Sequence, residues 1–189
     1  DIHYTQQYIV SQTSMVCSIL IDEGFITCSD DRMCNAYIPD KNYELTGLGI
    51  IASNIAEIHP LIITRLLEHW NYFESLTTEQ IIGIFSCFTD IKLPDDERYM
   101  NPSSKDDIVN KYANNIVRMF EQYDTIEGEA KVNTGINYVN ALNFDLIDIS
   151  MDWCNCNDET ECKIFIEKEV KYYGISIGDF TKAMLKIVT

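Results

Sequence analysis

Basic side chains are scarce in this sequence: 14 Lys and Arg face 30 Asp and Glu, a formal charge of −16. That balance opposes bulk attraction to nucleic acid or anionic lipid, so any nucleic-acid contact must be local or shared with a more basic neighbour. Long apolar runs are missing too. None approaches the roughly 18 residues of a membrane span, and no membrane partner is expected. The start, Asp1-Ile2-His3-Tyr4, has neither the basic region nor the apolar run of a secretory leader. Nor does it have an initiator Met, and a fragment of a longer polypeptide is expected. There is no G-x-x-x-x-G-K-[ST] phosphate loop and no Asp-Glu-x-His/Asp motif, so this chain alone should not hydrolyse ATP.

Metal and disulfide frameworks are equally poorly supplied. The three histidines, His3, His59 and His69, fall in different elements with no Cys or Glu at ligand spacing. They read as surface or helix-end residues. Seven cysteines make an odd number without framework spacing, which points to reduced thiols inside a cell, in cytoplasm or nucleus. Cys154, Cys156 and Cys162 are close together, but the pair is C-x-C and no fourth ligand is local. Zinc is therefore not assigned. Ile, Asn and Tyr are plentiful where Ala, Leu and Arg would serve, as in an A/T-rich organism or virus.

What is present is helical, and its centre is the stretch 76–88. Thr77 and Gln80 have the spacing of a capping box, and Leu76 before them is placed to fold over Ile81 as a hydrophobic staple. Past the cap, Ile81, Ile82, Ile84, Phe85 and Phe88 leave almost no polar face. A helix apolar nearly all round belongs inside a bundle. Gly83 lets a neighbour come close, at a propensity cost of about 1 kcal/mol.

In chain order, residues 12–23 predict a short helix burying Met15 and Ile19, with Val16 and Leu20 beside them and Gly24 at its C-terminal cap. Phe25-Ile26-Thr27 and Tyr43-Glu44-Leu45 predict two short strands around a polar loop, the back half of a winged-helix unit or a plain helix–hairpin. Thr46 caps a helix from Gly47 to Ile58, with Leu48, Ile51, Ala52 and Ile55 inward. Pro60 opens another, with Ile62, Ile63, Leu66, Leu67 and Trp70 on its apolar side. Pro94, Asp95-Asp96-Glu97 and Pro102 mark a loop. Ser104 with Asp107 predicts the cap of a long helix to Tyr123, with Ile108, Tyr112, Ile116, Val117, Phe120 and Tyr123 at 3–4 spacing. Residues 124–136 read as a linker. Helices follow at 138–153 and at 160–172, the latter with Ile164, Phe165 and Val170 on one side and Gly174 as its breaker. Ser176 and Asp179 cap a last one bearing Phe180, Met184, Ile187 and Val188. The expected fold is mainly α: a helix–hairpin lead-in, 1–45, then a helical bundle, 46–189.

Candidate site residues are few. Adjacent carboxylates (Asp22/Glu23, Asp95/Asp96, Asp106/Asp107, Asp158/Glu159) arise freely among 30 acids and have no nucleophile or His beside them, so no acid–base role is assigned. Trp153 reads as a core anchor. On the last helix Lys182 and Lys186 are four apart, hence one above the other, with Thr181 at their edge. Such a face suits a phosphate backbone, or is simply two exposed lysines.

Several motifs together resemble the DSHCT region, the C-terminal domain of superkiller and exosome-associated superfamily-2 RNA helicases. Glu23-Gly24-Phe25-Ile26 resembles the family's Leu-Gly-Phe/Tyr-Ile turn, and Leu45-Thr46-Gly47-Leu48-Gly49, continued by Ala52 and Ile55, its next element. Leu76, Glu79, Gln80 and Ser86-Cys87-Phe88 resemble L-[ST]-x-E-Q-x-x-x-L-L-S-C-F, the most specific match. Leu146-Ile147-Asp148-Ile149 through Trp153 is similar to L-x-D-[VI]-x-x-x-W. Gly178-Asp179-Phe180 with Lys182 and Lys186 resembles the opening of the family's RNA-contacting helix. The resemblance covers residues 12–189. It departs at Trp153-Cys154-Asn155-Cys156, where the family has Trp-x-x-Gly, at Lys182, where it has Arg, and at Leu185, where it has a basic residue. Lys keeps the charge but not the planar fork of Arg.

This resemblance implies a non-catalytic helical module of an ATP-dependent RNA helicase. It would pack on the parent's RecA-like motor domains and line the RNA exit path. ATP and Mg would be bound by the parent motor, with no cofactor in this chain. The implied partners are single-stranded, 3′-tailed RNA, through Thr181, Lys182 and Lys186 of the last helix, and RNA-decay proteins. The bundle is expected to be cut short at Thr189. Three rival readings stand beside it: an acidic helical adaptor that never meets RNA, a zinc-stabilised regulatory domain, and a DNA-directed relative of the same helicases.

Overall fold

Backbone geometry at Gly24 sets the first part of the chain. The computed structural model describes residues 2–28 and 42–188; the polar loop expected between the strands lies mostly outside them. Helix α1 (Ile2–Asp22) ends where Gly24 takes φ +73°, a left-handed conformation that costs glycine nothing. The Phe25 N–H then reaches the Leu20 carbonyl at 2.8 Å and the Gly24 N–H the Ile21 carbonyl at 2.9 Å, a Schellman cap. The expected short helix is instead 21 residues long. Residues 2–11 contain no Gly or Pro to stop it, and all are exposed, which leaves no buried stripe to announce it. Met15 and Ile19, expected inside, are half-buried.

The turn delivers Phe25, 1% exposed, into a two-stranded antiparallel sheet. Strand β1 (Ile26–Cys28) pairs with β2 (Tyr43–Leu45), Ile26 opposite Leu45 and Cys28 opposite Tyr43. Thr46 then does two things. Its hydroxyl donates to the Gly24 carbonyl at 2.7 Å and accepts from the Gly49 N–H at 3.2 Å, capping α2 (Gly47–Ala52). That helix stops at Ala52, well before the expected end at Ile58. The side chains of Ser53 and Asn54 both donate to the Ile50 carbonyl, at 2.8 and 2.7 Å, and so compete with helix continuation. Helix α3 (Pro60–His69) buries Ile62, Ile63 and Leu66, and Trp70 follows them inside. His59 caps α3, its Nδ1 accepting from the Ile62 N–H at 3.4 Å.

The chain packs as two compact units, 1–72 with 119–136, and 73–118 with 137–189. The helix–hairpin lead-in therefore shares a unit with α2 and α3. Within it Glu23 is a hub: Tyr123 Oη donates to its carboxylate at 3.1 Å, and Arg65 reaches the same carboxylate at 3.6 Å and the Glu23 carbonyl.

The second unit is built on α4 (Thr78–Ser86). The capping box forms as expected: the Thr77 N–H donates to Gln80 Oε1 at 3.0 Å and the Gln80 N–H to Thr77 Oγ1 at 3.3 Å. Helices α6 (Ile147–Cys154) and α8 (Ile177–Val188) both pack on α4, which is why it has almost no polar face. Gly83 lies against α6 with no room to spare: a Cβ there would meet Met151 Cγ at 2.7 Å and Sδ at 2.8 Å. Gly83→Ala gains about 1 kcal/mol of helix propensity but forces Met151 off its rotamer, a cost of about 1–3 kcal/mol. The expected net loss is about 1 kcal/mol in urea unfolding, absent when Met151 is shortened to Ala. A stabilised Gly83→Ala would mean Met151 swings clear.

Helix α5 (Asp107–Ala130) corrects three expectations. Its cap is Asp106, whose Oδ1 accepts from the Ile108 and Val109 N–H at 2.7 and 3.1 Å, not Ser104. The buried line accordingly runs Val109, Ala113, Ile116, Phe120, Tyr123, while Ile108 is 46% exposed. The helix also continues past exposed Gly128, so the linker begins at Lys131, which takes the left-handed φ of +54° itself. The helix expected over 138–153 is a 3₁₀ turn (Tyr138–Asn140) and α6, separated by a non-helical stretch. In that stretch Asn143 donates to the Ile91 carbonyl and Asp145 accepts from two loop amides. Helix α7 (Glu159–Phe165) runs into a π turn (Ile166–Val170). The extra residue per turn puts positions on either side out of phase. Val170 is buried while Ile164, expected beside it, is 46% exposed. Gly174, at φ +71°, ends the segment as expected.

Candidate nucleic-acid interface on the last helix

Helix α8 is set by local chemistry at its start. The Asp179 N–H donates to Ser176 Oγ at 3.1 Å and that hydroxyl donates to Asp179 Oδ2 at 2.7 Å, a reciprocal cap. Phe180, Ala183 and Met184 are then buried, in one core cluster with Leu93, Leu146, Ile149, Val170 and Ile175. The Phe180 ring lies edge-on to Trp153 at 6.4 Å, in keeping with Trp153 as an anchor. Val188, expected inward, is instead 61% exposed and Leu185 56%. An ideal helix turns 100° per residue, so one that seats Phe180, Ala183 and Met184 carries position 188 off that line.

The three candidate contact residues share this helix but not one environment. Lys182 is exposed, and among the described residues no carboxylate lies within ion-pairing distance of it. Lys186 is half-buried and its ammonium pairs with Asp90 at 3.4 Å. Asp90 is itself 90% exposed, so the pair is worth well under about 1 kcal/mol and is readily exchanged for a phosphate. Thr181 is exposed but donates its hydroxyl to the Ile177 carbonyl at 2.8 Å, leaving only lone pairs for a ligand. Among the described residues the face thus offers one free cation, one shared cation and an acceptor. Sequence spacing identified the two lysines; the Asp90 carboxylate, 96 residues away, had no local signal.

Beside this face an open, largely apolar groove of about 290 Å³ runs between α6, α7 with its π turn, and α8, lined by Trp153, Cys162, Ile166, Leu185 and Val188 among others. Cys154, Cys156 and Cys162 are free thiols, and among the described residues no three His, Cys, Asp or Glu side chains are arranged to hold a metal ion. Among those residues no helix is long and apolar enough to cross a membrane. The histidines read as helix-end or surface residues are found so: His59 caps α3, His69 is exposed at its end, and His3 is exposed on α1. Burial pushes the His59 imidazole below its ordinary pKa, as befits a ring that accepts an amide hydrogen.

The family model of the DSHCT (NUC185) domain matches residues 42–163, from β2 through most of α7. Helix α8 follows the matched stretch. No curated protein and no solved structure matches the chain. With the match covering well over half of 189 residues, and the capped α4, the Gly83 contact and the α6 helix all inside it, this chain belongs to the DSHCT domain family, a helicase-associated domain.

Proposed function

We propose that this domain is a non-catalytic part of an ATP-dependent RNA helicase, packing on the parent's RecA-like motor and touching the outgoing RNA strand with α8. The family match carries the helicase reading, and Lys182, exposed and without an ion-pair partner among the described residues, supports the RNA contact. ATP and Mg belong to the parent motor. The domain's task is positional: it offers the strand backbone a fixed cation while the motor steps, a contact with little sequence demand. The net charge of −16 makes any such contact local and lets the rest of the surface repel the strand from non-productive paths.

The test is the salt dependence of RNA binding by the helicase that carries this domain. Lys182→Glu should flatten the slope of log affinity against log salt by about one unit. Lys186→Glu should do less, because Asp90 already holds that ammonium. An unchanged slope for Lys182→Glu would sink the RNA contact. The strong acidity favours a second reading, an adaptor that recruits proteins and never meets RNA. Crosslinking of the parent to single-stranded RNA separates the two, with an adduct within 176–189 supporting the first and none there the second.

A further inference from the structure

The turn between α6 and α7 gathers three nucleophilic side chains that the RNA reading does not use. Cys154 closes α6, Cys156 follows the C-cap Asn155, and Cys162 lies one turn into α7. Hydrogen bonds fold this turn back on itself. The backbone N–H and the side-chain amide of Asn157 both donate to Glu161 Oε2, at 2.7 and 3.0 Å. Asp158 caps α7 by accepting from the Thr160 and Glu161 amides at 2.8 Å each. With Asn157 bound to Glu161, the residues flanking them, Cys156 and Cys162, lie on the same folded turn, near enough for the Cys162 thiol to bear on the ionisation of Cys156. Both are partly exposed, unlike Cys87, which is fully buried, with its thiol pushed up to about 12 and out of reach of reagents.

Two neighbouring thiols with no third ligand arranged beside them among the described residues are too few for a metal centre but sufficient for each other. We propose that Cys156 and Cys162 form an oxidisable dithiol that closes into a disulfide under hydrogen peroxide, pinning the α6–α7 turn at the edge of the groove beside α8. One thiolate attacks the peroxide oxygen, breaking the O–O bond and leaving a sulfenic acid and water. The second thiol attacks that sulfur, expelling another water, so two thiols and one peroxide become one disulfide and two waters. Burial, the adjacent Cys162 thiol and the Glu161 and Asp158 carboxylates all hold Cys156 protonated. The reaction is therefore slow at neutral pH and quickens in alkaline buffer, since the thiolate is the nucleophile. Cys162 and Trp153 line the same groove, so closure also reports on Trp153.

The test treats the full chain with hydrogen peroxide in mildly alkaline buffer, alkylates the remaining thiols, and cleaves on the N-terminal side of aspartates. A cut before Asp158 separates Cys156 from Cys162. The expected product is the two resulting peptides held together until a reductant is added, lighter by two hydrogens than their sum, with a reversible change in Trp153 emission. Cys162→Ser should abolish the linkage and leave a dimedone-reactive sulfenic acid at Cys156; Cys156→Ser, mapped the same way, answers if that variant folds poorly. Full alkylation of both cysteines while a reference dithiol peptide is oxidised would overturn the proposal. So would a Cys154–Cys156 link, which stays within a single peptide.

Discussion

Replacing Asp145 with alanine is expected to lower the unfolding free energy of the second unit by about 3–5 kcal/mol, the range for stripping one partner from a buried charged network. Its carboxylate is fully buried. Oδ2 accepts from the Leu93 N–H at 2.9 Å and Oδ1 from the Tyr99 N–H at 2.8 Å, with the Arg98 guanidinium 3.9 Å away. Removing the carboxylate orphans two amides at once and leaves the Arg98 guanidinium only its 3.6 Å pair with the exposed Asp95. Each unpaired buried group costs about 1–3 kcal/mol. Asp145→Asn is the informative companion. It keeps one acceptor but turns an NH₂ toward an amide donor, so it should recover less than half of the loss. Urea unfolding followed by Trp153 emission reads both variants. A loss under about 1 kcal/mol for Asp145→Ala would mean that water enters and satisfies the loop.

The consequence reaches α8. The loop that Asp145 holds supplies Leu93 to the cluster beneath Phe180 and Met184, and Asp90, at its start, pairs with Lys186. Loosening the loop removes both the seat of the helix and the partner of its second lysine. On the proposed α8 contact, a helicase carrying Asp145→Ala should thus bind RNA more weakly without the change in salt slope expected of Lys182→Glu, because no phosphate contact is itself deleted.

How much of this was legible in the sequence follows from how far apart the interacting residues lie. The Thr77–Gln80 capping box, the Gly24 and Gly174 stops and the Ser176–Asp179 cap were all readable, because each joins residues a few positions apart and has its own residue chemistry. The close approach at Gly83 was readable as a possibility, though its partner Met151 was not. The Asn143–Asp145 stretch reads as helix on periodicity. What breaks it is hydrogen bonding to a loop 46 and 52 residues away, and no local pattern records that. Likewise Ser104 looked like the cap of α5 because its spacing to Asp107 is right. In the fold its hydroxyl is spent on Asp148 Oδ1, at 2.6 Å, and Asp106 caps instead. The π turn after Phe165 defeated the face assignment of Ile164 because one inserted residue rotates everything beyond it. For the candidate interface, helical spacing located Lys182 and Lys186 but could not distinguish the free cation from the shared one.

In the first unit Gly49→Ala is expected to be the most damaging small substitution, with a loss of about 2–3 kcal/mol despite a helix-propensity gain of about 1 kcal/mol. A Cβ at this position would press directly into the Phe25 carbonyl oxygen, with the Phe25 carbonyl carbon and Leu45 Cδ2 both at 3.1 Å. At Gly83 the obstacle is a side chain that can turn away. Here it is backbone, and that backbone is already committed: the Phe25 carbonyl accepts from the Thr46 N–H at 3.0 Å, and the Thr46 hydroxyl lies 3.1 Å from it. For the Cβ to fit, α2 has to retreat from the β1 turn, which stretches those bonds and the Thr46 cap on Gly49 together. The effect should therefore be cooperative. Gly49→Ala combined with Thr46→Ala should cost less than the sum of the two single changes, since the first has already broken what the second removes. Thermal unfolding of the four members of that cycle measures the coupling, and strict additivity would mean that α2 accommodates the methyl group without leaving the hairpin.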